Sequence, residues 1–260
     1  IMSEGLSIDE GQNVDVIING EVVSGKFLAK SPKFDIALIS IKKKDITEDT
    51  KKNIVPIKLG NSNKSTLGSF VISYGESGDE SGIFNYGIIS KKSNQSMVDA
   101  NVTVINTNIA TSSNDDGLLF DSNGNLLGIG TDMGPDSDTF KVVGIYDIKR
   151  HIEKLSADID VVLFGIYGED ITENIASRYD IPNGVYLTDV AFDSPAYKAG
   201  LQSGDIITAI DGSEIKSMDD IENILSDYKA GKTMSVDIKR KNKDGYFDMS
   251  FDVNIVKYKA

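Results

Sequence analysis

At 260 residues the chain is long enough for two domains, each able to bury a core of its own. Its 40 Asp and Glu against 27 Lys and Arg give a formal charge of −13, which repels a phosphate backbone and excludes nucleic acid as an expected partner. With no cysteine, disulfides and thiolate metal sites are excluded as well.

The first residues, Ile1-Met2-Ser3, carry neither a basic nor an apolar targeting stretch. The segment from there to Val143 reads as short apolar or alternating runs parted by turn residues: Val14 to Ile18, Val22 to Ala29, Ile36 to Ile41, Phe70 to Tyr74, Tyr86 to Ser90, Val102 to Ile105, Leu118 to Phe120, Leu126 to Ile129 and Phe140 to Val143. That spacing predicts an all-β sandwich or barrel. Asn19-Gly20 and Asn123-Gly124 predict type I′ hairpins, whose two central residues need positive φ. Gly75 to Gly82 lacks a phosphate-binding pattern and reads as a surface loop. From Tyr146 to Leu155 the period becomes helical, with Ile148, Ile152 and Leu155 on one face, and a domain boundary is expected near residue 156.

Beyond it, a helix over Ile171 to Tyr179 and a strand over Val185 to Val190 are expected. Ser194 to Gly200 has a Ser N-cap, Pro at the first helical position and a terminal Gly. Ile206 to Ile210 reads as a strand turned by Asp211-Gly212. Ser217 and Asp220 form a capping box for a helix with Ile221, Ile224, Leu225 and Tyr228 on one face. Met234 to Lys239 and Tyr246 to Val256 close the chain as a hairpin around Lys243-Asp244-Gly245.

Two segments together resemble a known family. Ser194 to Gly212, SPAYKAGLQSGDIITAIDG, is similar to the PDZ signature of HtrA/DegP-type proteases, S-P-A-x-x-A-G-L-x-x-G-D-x-I-x-x-I-x-G. About thirty residues upstream stands Leu163-Phe164-Gly165-Ile166, where those domains carry a loop whose backbone N–H groups receive a peptide's terminal carboxylate. Gly lets the backbone approach closely, and converging N–H donors stabilise an anion. The resemblance implies that the strand from Gly165 takes an extended peptide by β-addition, with Ile166, Ile221, Ile224 and Leu225 lining an apolar groove.

The first part of the chain resembles the trypsin-like domain of the same family. Asp35, in Phe34-Asp35-Ile36-Ala37-Leu38, matches the triad aspartate of T-D-I-A-L. Ile1 to Ile8 aligns with I-L-T-N-x-H-V-I and puts Leu6 at the general-base histidine; the family's G-N-S-G-G falls on Ser113 to Gly117 and puts Asp115 at the nucleophile. A Leu cannot accept a proton, and loss of a triad's base or nucleophile alone costs about a million-fold in rate. The implied fold is mainly β: a trypsin-like double β-barrel lacking its first strands over 1–155, followed by an α+β PDZ domain over 156–260.

The expected function is that of a pseudoprotease binding peptides or protein C-termini, with no cofactor and no metal, located outside the cytoplasm, and reaching a membrane only through an anchor outside this chain. Family members assemble as trimers through a region before Ile1, so oligomerisation is left open. An active serine endopeptidase with a displaced site and an assembly or adhesion module using free strand edges are the alternatives.

Other candidates read as structural. His151, the only histidine, is expected to be solvated or capping beside Arg150 and Glu153. Ser112 and Ser113 have no Lys in the Asn108 to Asp121 segment to activate them. Asp121 to Asn125 lacks the Gly and Glu placement of a calcium loop and reads as a turn, and Asp115, Asp116, Asp132, Asp136 and Asp138 read as solvated acids.

Overall fold

The computed structural model describes residues 11–31, 33–34, 36–77, 80–110, 117–130, 138–157, 159 and 161–258. The chain is mainly β and divides into two compact units, one of Ile1–Asn94 with Thr103–Ile159, the other of Gln95–Val102 with Asp160–Lys259.

In the first unit, β1 (Asn13–Ile18) and β2 (Glu21–Lys30) form an antiparallel hairpin. Asn19 and Gly20 sit at φ 50° and 83°, as a type I′ turn requires. β3 (Ala37–Ser40) pairs with the other side of β2. A short polar helix, α1 (Glu48–Asn53), follows, N-capped by the Thr47 hydroxyl. Its EDTKKN sequence has no apolar periodicity, so cap chemistry rather than patterning marks it.

Six strands then close a barrel: β4 (Phe70–Ser77), β5 (Glu80–Met97), β6 (Ala100–Ala110), β7 (Gly117–Asp121), β8 (Leu126–Ile129) and β9 (Thr139–Gly144), in spatial order β4-β5-β6-β9-β8-β7. Alternate side chains fill it, with Val71, Ile89, Ile105, Leu119, Leu127 and Val142 buried together. The expected surface loop at Gly75 to Gly82 is instead largely strand: Gly75 pairs with Ile83, and Ser77 with Glu80. Ladder hydrogen bonds carry β5 on through a stretch too polar to read as a strand.

At the β7–β8 turn only Gly124 takes positive φ, 78°. The expected type I′ turn is replaced by a longer loop held by the Asp121 carboxylate, which accepts from Asn123 N, Asn125 N and Asn125 Nδ2 at 2.8–2.9 Å. The β9 strand runs directly into α2 (Ile145–Ser156), which buries Ile145, Ile148, His151 and Leu155.

The second unit holds a sheet in the order β11-β12-β13-β15-β16, with β14 beside β13. Its elements in chain order are β10 (Val162–Leu163), β11 (Ile166–Ile171), α3 (Glu173–Tyr179), β12 (Gly184–Val190), α4 (Pro195–Ala199), β13 (Ile206–Ile210), β14 (Ser213–Glu214), α5 (Met218–Asp227), β15 (Thr233–Asn242), β16 (Gly245–Asn254) and β17 (Val256–Lys257). β10 pairs with β17 apart from the main sheet.

Local chemistry sets the helix ends. The Ser194 hydroxyl accepts from Tyr197 N, and Gly200 stops α4 at φ 100°. Ser217 and Asp220 form the reciprocal capping box at the start of α5. One core gathers Phe164, Ile166, Val185, Leu187, Ile207, Ile221 and Val236, among others.

Candidate functional site

The loop between β10 and β11 is the best-organised polar feature of the second unit. Gly165 stands at φ +97°, and a Cβ there would lie 2.1 Å from Ser194 Cβ, so both backbone angle and space demand glycine. The loop's carbonyls are pinned to one side: Phe164 O accepts from Ala196 N at 2.9 Å, and Gly165 O from Ala191 N at 2.9 Å. The Ser194 hydroxyl, already the α4 cap, also donates to Gly165 O, at 3.4 Å. Turning these carbonyls toward Ala191 and Ala196 leaves the N–H groups of Gly165 and Ile166, which share their peptide planes, facing the other way.

Together with the Phe164 N–H they converge on one carboxylate. Phe164 N donates to Asp99 Oδ2 at 2.8 Å, and Gly165 N and Ile166 N donate to Asp99 Oδ1 at 2.7 and 2.9 Å. Consecutive N–H donors around one anion form a nest, a geometry built for negative charge. Burial, the nearby Asp99 charge and Tyr167 push the Tyr258 hydroxyl above its ordinary pKa.

Of the residues singled out in the sequence, Leu163 is half-buried, while Phe164 and Ile166 are fully buried with Gly165 between them. Ile221 and Leu225 are buried in the same core as Ile166, and Ile224 packs against it, half-buried. Asp170, near the end of β11, accepts from Met218 N at 2.7 Å and so ties that strand to the first residue of α5. Burial raises the pKa of its carboxyl. Asp99 was missed by sequence reasoning; nothing in Met97 to Asn101 distinguishes it from a turn acid.

The Gly204-Asp205 pair has a structural task. Asp205, 1% exposed, receives Arg240 Nε and Nη2 at 2.7 and 2.8 Å and Gln202 N at 2.8 Å. Arg240 Nη2 also donates to Gly200 O at 2.9 Å, binding the end of α4 to β15. A bidentate guanidinium pair with a further backbone donor on the carboxylate is the form in which a buried carboxylate is stable.

In the first unit, Leu6, Asp35 and Asp115 lie outside the described residues, as do Ser112, Ser113, Asp116, Asp132 and Asp136. The residues flanking Asp35, Phe34 and Ile36, are each 3% exposed. His151 corrects the expectation of a solvated side chain: it is 5% exposed and meets the Phe34 ring edge-on, 5.0 Å between centroids. Its Nε2 has no hydrogen-bond partner among the described residues. Burial, with Lys33 and Lys154 adding repulsion, lowers its pKa to about 3, so it is neutral at ordinary pH. The apolar face of α2 explains the burial: His151 lies three residues after Ile148 and four before Leu155, on the same stripe.

Among the described residues no cluster of three metal-ligating side chains occurs, and no helix is long and apolar enough to cross a membrane.

Comparison with known proteins gives two family matches: a trypsin-like peptidase domain over residues 4–129 and a PDZ domain over residues 148–250. A probable periplasmic serine endoprotease, DegP-like, of Pseudomonas putida (strain W619) is 26% identical over 238 residues, covering 88% of this chain and 48% of the relative. The serine protease Do-like HtrA of Lactobacillus helveticus is 26% identical over 250 residues, covering 88% and 59%. The chain thus spans about half the length of these relatives. Among solved structures, the HtrA-type protease AlgW with tripeptide superposes at a TM-score of 0.62 with 19% identity, covering 95% of this chain and 82% of that one. AlgW with decapeptide gives 0.59 at 18%, covering 95% and 76%. A trypsin-like peptidase domain followed by a PDZ domain, with DegP-like and HtrA relatives aligned over 88% of the chain, makes this protein similar along most of its length to HtrA-type proteases.

Proposed function

We propose that this HtrA-like chain is a pseudoprotease that captures peptides or protein C-termini at the Leu163–Ile166 loop of its PDZ domain, as a scaffold or in protein quality control outside the cytoplasm. The protease-like part takes 1–155 and the PDZ part 156–260. One observation carries the reading: the Phe164, Gly165 and Ile166 N–H groups all point at a single carboxylate, within 2.9 Å. A terminal carboxylate is the same chemical group, and β11 stands at the edge of its sheet, where an extended peptide adds as a further strand. The absence of proteolysis rests on sequence alone: Leu6 and Asp115 stand at the positions of the general base and the nucleophile. The periplasmic naming of the DegP-like relatives supports the location.

The test is a pool of peptides, half with free and half with amidated C-termini, with captured and cleaved species read together by mass spectrometry. Intact free-carboxylate peptides should dominate the captured fraction. New internal cleavage products that vanish with a fluorophosphonate inhibitor would instead establish an active serine endopeptidase.

A second reading, assembly, is favoured by the aromatic side chains on the outer face of β4 and β5. Phe84 and Tyr86 are 68% and 78% exposed and pair with Tyr74 and Phe70. A monomer at every concentration in sedimentation would remove it.

A further inference from the structure

Asp99 lies in the connection between β5 and β6, in the segment Gln95–Val102 that belongs to the second unit. It is 0% exposed, and a buried carboxylate persists only when hydrogen-bonded or paired. Its side chain takes the three N–H donors of the Phe164–Ile166 loop, and its own N–H donates to Ile166 O at 2.8 Å. Two residues on, Asn101 Nδ2 donates to Gly168 O at 3.3 Å, so the connection follows the free edge of β11. Asp99 holds φ at +58°, a left-handed angle that Asp tolerates better than most residues.

These are the donors, and this is the strand edge, that the proposed function assigns to a peptide's terminal residue. One set of N–H groups cannot serve two carboxylates at once. We propose that Asp99 is a built-in competitor: its side chain stands in for a peptide C-terminus, and a ligand binds only when the Gln95–Val102 segment gives up the loop. The inference rests on the peptide-binding reading of that loop and adds a regulation to it.

A tethered surrogate needs little intrinsic affinity. Its effective concentration near the loop is on the order of millimolar, and a ligand's apparent Kd is the intrinsic value divided by the fraction of molecules with the loop free. A loop free in about a tenth of the molecules would raise the apparent Kd about tenfold. Protein termini at low concentration would then be ignored until the segment is displaced.

The experiment measures fluorescence-polarisation affinity of the full chain and of its Asp99→Asn and Asp99→Gly variants for a labelled peptide ending in an apolar residue, in free-acid and amidated forms. Asn keeps the turn's tolerance of positive φ and removes the charge; Gly keeps the φ and removes the side chain. Amide hydrogen exchange at Phe164, Gly165 and Ile166 is followed in parallel, without ligand.

The free-acid peptide is expected to bind both variants about tenfold or more tighter than the parent chain, and the three amides to exchange faster in Asp99→Gly. Equal affinity for parent and variants, or equal exchange, overturns self-occupancy and leaves the peptide-binding reading standing. Free-acid and amidated peptides binding alike to folded variants removes the carboxylate receptor itself, and the competitor with it.

Discussion

Each unit buries an ionisable group, and the two treat it in opposite ways. In the second unit Asp99 and Asp205 are 0% and 1% exposed, and each carboxylate is met by several donors: backbone N–H groups for Asp99, the Arg240 guanidinium and Gln202 N for Asp205. In the first unit His151 is packed against Phe34 as if it were an aromatic apolar residue, with its pKa lowered to about 3 and Nε2 without a partner among the described residues. A buried charge that is fully bonded marks a place where the fold was built for charge. A buried base left neutral marks packing: His151 fills the apolar stripe of α2 beside Phe34.

The most damaging way to break the satisfied side is Gly165→Ala. The new Cβ would fall 2.1 Å from Ser194 Cβ at a φ of +97°, and a loss of about 4 kcal/mol is expected, or local melting of the loop. Chemical denaturation followed by exchange at β11 amides would show it. Next, Arg240→Ala leaves the buried Asp205 carboxylate without its cation and frees Gly200 O; a loss of about 3 kcal/mol is expected, confined to the second unit.

The neutral side is tested by pH. Above about 6.5 folded and unfolded chains both hold the imidazole neutral; below it the unfolded chain takes up a proton that the folded one refuses. Stability of the first unit is therefore whole above that pH and falls by about 1.4 kcal/mol per unit as pH drops toward 3. His151→Leu should flatten this slope between pH 6.5 and 5, a difference of about 2 kcal/mol at pH 5. Exchange of α2 amides across that range reads it directly. The smallest effect, Ser217→Ala, removes half of a capping box at the start of α5 and should cost about 1 kcal/mol with no change in pH dependence.

What the sequence made legible was local. The α4 caps, the Asn19-Gly20 turn and the Ser217–Asp220 box each depend on residues within a few positions, and each forms as those residue types require. Hydrophobic periodicity placed most strands but lost the polar half of β5, where pairing rather than side-chain character holds the strand. It also misread His151, because a single polar residue on an apolar stripe looks like an interruption until its neighbours are seen to enclose it. Asp99 was out of reach for a different reason. Its partners lie 65–67 residues away, and an acid at a turn carries no mark of what it will meet.

Peptide capture at β11 requires the Phe164–Ile166 loop to be a receptor for a carboxylate. The most direct measurement is a titration of the ¹⁵N-labelled Asp99→Gly chain with one peptide in free-acid and amidated forms, following the Phe164, Gly165 and Ile166 amide resonances. The free acid should shift all three to saturation while the amide leaves them near their starting positions. Unmoved resonances with the free acid, or equal shifts with both forms, would contradict it.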